Sequence, residues 1–240
     1  MRAKISSNLL QLKIQPQELK IIHPQLYKFK ILISYMAKPN LQKKFRILAA
    51  SDFHGDSKIT KKLAEKAEKE NVDLVVLAGD ITGFQETDNI IKPFTDRGKK
   101  VVFVPGNWDT SETSEFLSKL YGVKNVGEHY VKYKDIGIFG IGSPDWQMSL
   151  NEGKTFKKLK SEFEKIKDMK KKIMISHIHA KGTKSEFSGF EGSSALRRAI
   201  EEFQPDIFLS GHIHEAEGLE EKIGKTKVIS VGKKGKIIEI

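Results

Sequence analysis

Phe45-Arg46-Ile47-Leu48-Ala49-Ala50-Ser51-Asp52-Phe53-His54-Gly55-Asp56 joins a short apolar run to a cluster of small and acidic residues. A run of that length, closed in that way, reads as a buried strand entering a loop. Side chains two apart on a strand point the same way. The spacing therefore predicts that Asp52 and His54 face one side together, an oxygen donor beside a nitrogen donor. Together they make half of a candidate metal site.

At 240 residues the chain can build one substantial core, and one large domain is expected. The net charge of +11 fits nucleic acid or an anionic membrane as a partner. Its location argues otherwise. Residues 1–46 carry ten basic side chains and a single acid, Glu18, whereas 32 basic and 30 acidic residues follow. The body is close to neutral, so nucleic-acid binding by it is weakly supported. There is no cysteine, which excludes disulfides, thiolate metal sites and cysteine catalysis. Any metal must be held by oxygen and nitrogen. The high Lys, Glu and Ile content also suits a thermophile. No apolar run reaches the roughly 18 residues of a membrane span, and no secretory pattern follows the basic start. A cytoplasmic location is expected.

Two segments follow from the charge break: a basic N-terminal extension, 1–44, and a main domain, 45–240. For the extension three readings compete: a segment packed on the domain, a surface-binding arm, or an artefact of an early start codon, with Met36 as the alternative start. From residue 45 the pattern predicts a helix over 57–70, a strand over 73–78 ending in Gly79-Asp80, and a helix over 86–97. A strand over 100–104 then ends in Pro105-Gly106-Asn107-Trp108-Asp109, with a helix over 111–120. Strands at 129–134 and 137–141 read as a hairpin, in which antiparallel pairing replaces crossover helices. A polar loop holding Asp145 and Trp146 leads to a basic helix over 154–171. Next come a strand over 172–176 ending at His177, a helix over 193–203, and a strand over 206–210 ending in Gly211-His212-Ile213-His214. The tail to Ile240 reads as short antiparallel strands. Alternating strands and helices followed by hairpins imply a mixed α/β sandwich. Each polar cluster lies just past the C-terminal end of a strand, where such folds gather ligands.

Taken singly these clusters decide nothing, but their order does: Asp52-x-His54, Gly79-Asp80, Gly106-Asn107, His177, Gly211-His212-x-His214. In this order the chain resembles the calcineurin-like metallophosphoesterase superfamily, whose pattern runs DxH, GD, GNH(D/E), H and GHxH. The resemblance spans residues 45–240 and departs inside one block. It implies an α/β fold, a four-layer α-β-β-α sandwich of two mixed sheets flanked by helices, with two metals at one edge. It also implies that Asp52, His54 and His214 bind one metal, that Asn107, His177 and His212 bind the second, and that Asp80 bridges both. Imidazole and carboxylate suit two divalent or trivalent Mn, Fe or Zn ions, with manganese the expected occupant. Such a pair, about 3.5–4 Å apart, lowers the pKa of a shared water and neutralises phosphate oxygens. A metal-bridging hydroxide is then the nucleophile.

The departure is Trp108, where the family has the His thought to protonate the leaving oxygen. Indole N–H does not titrate in the useful range. Trp108 is read as a substrate-stacking residue or as plain packing. Asp109, with Glu112 three residues later, is read as the N-cap of the following helix. His179 lies two residues after His177. On an extended strand it faces the metals, as a group bonded to a metal ligand or as a substitute catalytic acid; if the chain turns, it caps a surface loop. His23 and His129 read as structural, the lysines of 154–172 as a solvated helix face, and Asp145 and Trp146 as candidates for the site rim. The expected function is a two-metal phosphodiesterase acting on a small-molecule phosphoester, since diesters and other esters with stable leaving groups need less protonation. Two rivals stand beside it: a metal-binding scaffold with weak or no catalysis, favoured by Trp108, and a nuclease, supported only by the basic extension.

Overall fold

Successive side chains of β1 (Arg46–Ala50) enter two different cores. A strand turns neighbouring residues to opposite faces. Ile47 and Ala49 thus join the layer between two sheets, while Leu48 and Ala50 meet helices. A computed structural model describes residues 44–83 and 89–240, and the same division repeats along β2 (Leu74–Ala78) and β3 (Lys100–Val104). Leu74, Val76, Val102 and Val104 face the second sheet; Val75, Leu77, Val101 and Phe103 face the helices. Strands covered on both sides read as unbroken apolar runs, as these do.

The first sheet has the order β11-β1-β2-β3-β4, with β4 at Lys124–Asn125 and β11 at Lys236–Glu239. Its pairs are parallel except β1 with β11, where Leu48 lies opposite Ile237. Helices α1 (Ser57–Lys69), α2 (Lys92–Thr95) and α3 (Ser111–Tyr121) follow β1, β2 and β3. Leu63, Ala64 and Ala67 of α1, Phe94 of α2 and Leu117 of α3 close its outer core.

The second sheet has the order β5-β6-β7-β8-β10-β9. Its strands are β5 (Tyr130–Tyr133), β6 (Ile136–Ile141), β7 (Lys171–Ser176), β8 (Ile207–Ser210), β9 (Glu220–Ile223) and β10 (Thr226–Ser230). Both edge strands pair antiparallel, whereas β6, β7, β8 and β10 run parallel. Helices α4 (Glu152–Glu164) and α5 (Ser194–Phe203) cover its outer face. There Phe163 stacks on Phe203 at 4.7 Å and meets Phe139 of β6 at 5.8 Å. The result is the expected four-layer sandwich of two mixed sheets between helices.

Several boundaries differ from the sequence reading. The second half is mostly parallel, and among the described residues antiparallel pairing is confined to the β5–β6 and β9–β10 hairpins and to β11. Helix α4 stops at Glu164, not at residue 171. Phe156, Leu159, Phe163 and Ile166 keep helical spacing, but Ile166 turns inward over Gly137, where a Cβ would lie 2.7 Å from its own. Of the helix expected over 86–97, the described part is only Lys92–Thr95, opened by Pro93 in its first turn. Asp109 is not the cap of α3; Thr110 is, accepting from Thr113 N at 3.0 Å. The extension expected at 1–44 lies, but for Lys44, outside the described residues. Among the described residues no helix is long and apolar enough to cross a membrane.

Candidate metal centre

The C-terminal ends of β1, β2 and β3 in one sheet meet those of β7 and β8 in the other, and their loops are sewn together by backbone hydrogen bonds. Asp52 N donates to Gly79 O at 3.0 Å, His54 N to Asp80 O at 2.9 Å, and Gly211 N to His177 O at 3.0 Å. His177 links the sheets directly: its Nδ1 lies 2.8 Å from Ala78 O. A carbonyl only accepts, so Nδ1 carries the proton and Nε2 is left to face the site.

Asp52 and His54 do converge with later residues, but not by strand alternation. β1 ends at Ala50, and Asp52 (φ 61°) and His54 (φ 49°) both have left-handed backbone. Asp80 (φ 52°) and His212 (φ 71°) share it. Asp tolerates this region better than most residues, and such strain gathers where a side chain must be aimed. Two glycines make the fit possible. Gly79 has φ +86°, and a Cβ on it would stand 2.6 Å from His177 Nδ1; a Cβ on Gly106 would stand 2.2 Å from Asp80 Oδ1.

Two groups of donors result, Asp52–His54–His214 and Asp52–Asp80–His177, each with its donor atoms within 4.8 Å of one another. His54 Nε2 and His214 Nε2 are 3.1 Å apart. Asp52 belongs to both groups, and Asp80 Oδ2, in the second, lies 3.3 Å from His177 Nε2 and also 3.7 Å from His54 Nε2 of the first. Asn107 Oδ1 is 3.0 Å from His177 Nε2. The His212 ring is 5.0 Å from that of His177, and His212 N donates to Asp52 Oδ1.

Asp52 and Asp80 are almost fully buried. Among the described residues their only ion-pair partners are histidines, with no lysine or arginine. Buried carboxylates need compensating charge, and a ring of imidazole, amide and carboxylate donors fits Mn, Fe or Zn. Protonation shows the same deficit. Burial opposes a charge on His177, yet the hydrogen bond and charge of Asp80, with Asp52, push its pKa up to about 9. Burial, and then repulsion from His177, lower His212 to about 4. Burial also lowers His54 against the pull of Asp80 and Asp52, while the hydrogen bond to Asp52 raises His214. Burial would raise Asp80, but the His177 hydrogen bond and charge and the Trp108 N–H hold it below the usual range.

Asp109 is a buried brace between loops. Its carboxylate accepts from Ile81 N, Thr82 N, Thr82 Oγ1 and Gly106 N, at 2.8–3.0 Å at the closest. Trp108 N donates to Asp80 Oδ1 at 2.9 Å, and its ring stands edge-on to His54 at 5.1 Å. His179 is buried, with Nε2 3.2 Å from Phe190 O and Nδ1 without a hydrogen-bond partner among the described residues. It anchors the loop that carries Phe190, whose ring meets His212 at 6.1 Å. Of the two rim candidates Trp146 lines the cleft, whereas the Asp145 carboxylate is bonded to Ser111 N and Oγ. Trp146 and Met148 line a cleft of about 880 Å³ with His54, Asn107, Trp108 and His214. The sequence reading left Met148 out. The usable signal was its place in a loop following a strand, β6, that ends at the same edge.

The chain belongs to the calcineurin-like phosphoesterase superfamily, whose domain model matches residues 45–237. Members of that superfamily are generally metal-dependent phosphoesterases, and the donor groups above are candidates for such metals. No curated protein is similar enough in sequence to match it. Among solved structures it is similar to TT1561 of Thermus thermophilus, at 18% identity and TM-score 0.64, covering 82% of this chain and 99% of that one. It is also similar to a dimetal phosphatase from Danio rerio, at 12% identity and TM-score 0.58, covering 79% and 88%. The phosphopantetheinyl hydrolase of Mycobacterium tuberculosis matches at 14% identity and TM-score 0.54, covering 79% and 90%. At these identities the likeness is one of fold.

Proposed function

We propose that this protein is a two-metal phosphodiesterase for small phosphoesters. Asp52, His54 and His214 would hold one cation and Asn107, His177 and His212 the other, with Asp80 shared between them. The observation that carries this reading is the pair of buried carboxylates, Asp52 and Asp80, whose ionic partners among the described residues are all histidines. When bound, two cations, manganese in first place, supply an activated water and neutralise phosphoryl charge.

The chain's own residues do the aiming. The His177 Nδ1–H bond to Ala78 O fixes the ring tautomer and orientation, as outer hydrogen bonds do for metal-binding histidines. The Trp108 N–H holds one oxygen of Asp80, leaving the other, Oδ2, turned toward His54 and His177. Trp108 takes the place of the usual acid, and His179 has its Nε2 3.2 Å from the Phe190 carbonyl. It is read here as a positioning residue. Substrates are therefore esters whose leaving oxygen needs little protonation, phosphodiesters with aryl-like leaving groups first among them.

Trp108 also favours the second reading, a metal-binding scaffold without useful catalysis. Turnover of aryl phosphodiesters and phosphomonoesters by the manganese-loaded protein separates the two. Diester hydrolysis outpacing monoester hydrolysis is expected; a metal-loaded sample inert to both would leave the scaffold.

A further inference from the structure

Trp146 is exposed beside the donor residues, and its backbone is tied down on both sides. Ser143 N donates to Pro105 O, Asp145 N to Asp109 O and Trp146 N to Asn107 O, at 2.9–3.0 Å. These bonds staple the loop after β6, from the second sheet, to the loop after β3, from the first. Asp145 (φ 60°) and Trp146 (φ 64°) both have left-handed backbone, a conformation that a large aromatic residue rarely takes. The Asp145 carboxylate adds a further tie, accepting from Ser111 N at 3.1 Å and from Ser111 Oγ at 2.6 Å. Strain of this kind persists only where the surroundings over-determine it.

What is held so firmly is an indole that remains 54% exposed, next to Met148 at 55%. Trp108 is its buttress. That ring lies between His54, at 5.1 Å, and Trp146, at 5.3 Å. Trp108 sets the distance from the donor cluster to the platform, and Trp146 with Met148 supplies exposed apolar surface. The cleft they share with the donors, about 880 Å³, is of a size that takes a drug-sized ligand. A phosphoryl group alone leaves most of it open.

We infer that Trp146, flanked by Met148 and backed by Trp108, is a stacking platform for a planar aromatic group esterified to the phosphate, as in a base-bearing nucleotide ester. This rests on the phosphoester site proposed above and names the substrate class that the site takes. An aromatic face stacks planar rings, and a thioether beside it adds favourable sulfur–ring contact. Stacking on one aromatic side chain is worth about 1–3 kcal/mol per base, or roughly 5- to 140-fold in affinity.

The test is calorimetric titration of the manganese-loaded full-length protein with adenosine 5′-phosphate and with ribose 5-phosphate, two probes that share the phosphate and sugar and differ in the ring. The wild type is expected to prefer the adenosine probe by roughly 5- to 140-fold. In Trp146→Ala, which keeps the Cβ and the backbone strain, that ratio falls toward one; in Trp146→Phe most of it is retained. A wild-type ratio near one, or an unchanged ratio in Trp146→Ala, overturns the inference. If the preference follows Trp146 while no phosphoester is turned over, the platform stands and the hydrolase reading alone fails.

Discussion

Replacing Asp109 by alanine separates a bracing carboxylate from a metal-holding one. Asp109 is fully buried and accepts from three backbone N–H groups, Ile81, Thr82 and Gly106, and from the Thr82 hydroxyl. Alanine leaves those donors facing a small void. Each buried donor left unpaired costs about 1–3 kcal/mol. Water entering the void recovers part of that, so a net loss of about 3 kcal/mol is the working figure for the three amides together. Against a domain stability of about 5–15 kcal/mol the variant still folds, but with a lowered denaturation midpoint. The same donors flank Asp80 and Asn107, and slack in such supporting bonds typically weakens metal affinity by about 10- to 100-fold. Urea unfolding of the metal-free protein measures the first effect and manganese titration the second. Asp109→Asn keeps one acceptor oxygen and recovers part of both. A metal-free Asp109→Ala protein within about 1 kcal/mol of wild type, or one binding manganese equally well, would refute the brace.

Gly106→Ala drives a Cβ to 2.2 Å from Asp80 Oδ1 and 2.3 Å from Asp80 N, so the two loops must move apart: manganese binding falls by at least about 10-fold and the urea midpoint drops, as titration and unfolding will show. Phe139→Ala, which empties the fully buried centre of the Phe139–Phe163–Phe203 cluster, costs about 3–5 kcal/mol in urea unfolding. The metal-free protein has a pH optimum set by two histidines. Burial opposes the charge on His177, but Asp80 outweighs it and raises the pKa to about 9, so its stabilisation is fully present below about 6.5 and is lost as pH rises through about 9. His212, lowered to about 4, withdraws stability as pH falls from about 6.5 toward 4. Thermal melts without metal should therefore peak near pH 6.5, and manganese affinity should climb between pH 7 and 9 as His177 gives up its proton.

Much of this was legible because each donor block follows an apolar run. Strand interiors are selected for burial, and a sheet's C-terminal edge is where loops converge, so the order of blocks fixed their meeting place without any distance. The local argument was another matter. Asp52 and His54 were aligned by strand alternation, but the strand ends two residues earlier, and left-handed backbone at both positions does the aiming. Periodicity does not reveal φ at a single Asp or His. Asp109 misled for a related reason: a capping pattern is local, whereas the four donors it serves come partly from a loop 27 or 28 residues away. Helix α4 was overextended because Ile166 keeps helical spacing while packing over a glycine of β6. Trp146 was placed only as a rim candidate, since its aim depends on three backbone bonds to a loop of the other sheet.

The left-handed backbone at Asp52, His54, Asp80 and His212 has a practical consequence for engineering. Glycine adopts that conformation without steric cost, and each non-glycine residue there carries strain of about 1 kcal/mol or more. Libraries selected for thermal tolerance of the metal-free chain will therefore drift toward glycine at these four positions. They will yield hardier proteins that no longer bind cations. Stability screens on this scaffold should be run with manganese present, so that binding rewards the strained side chains.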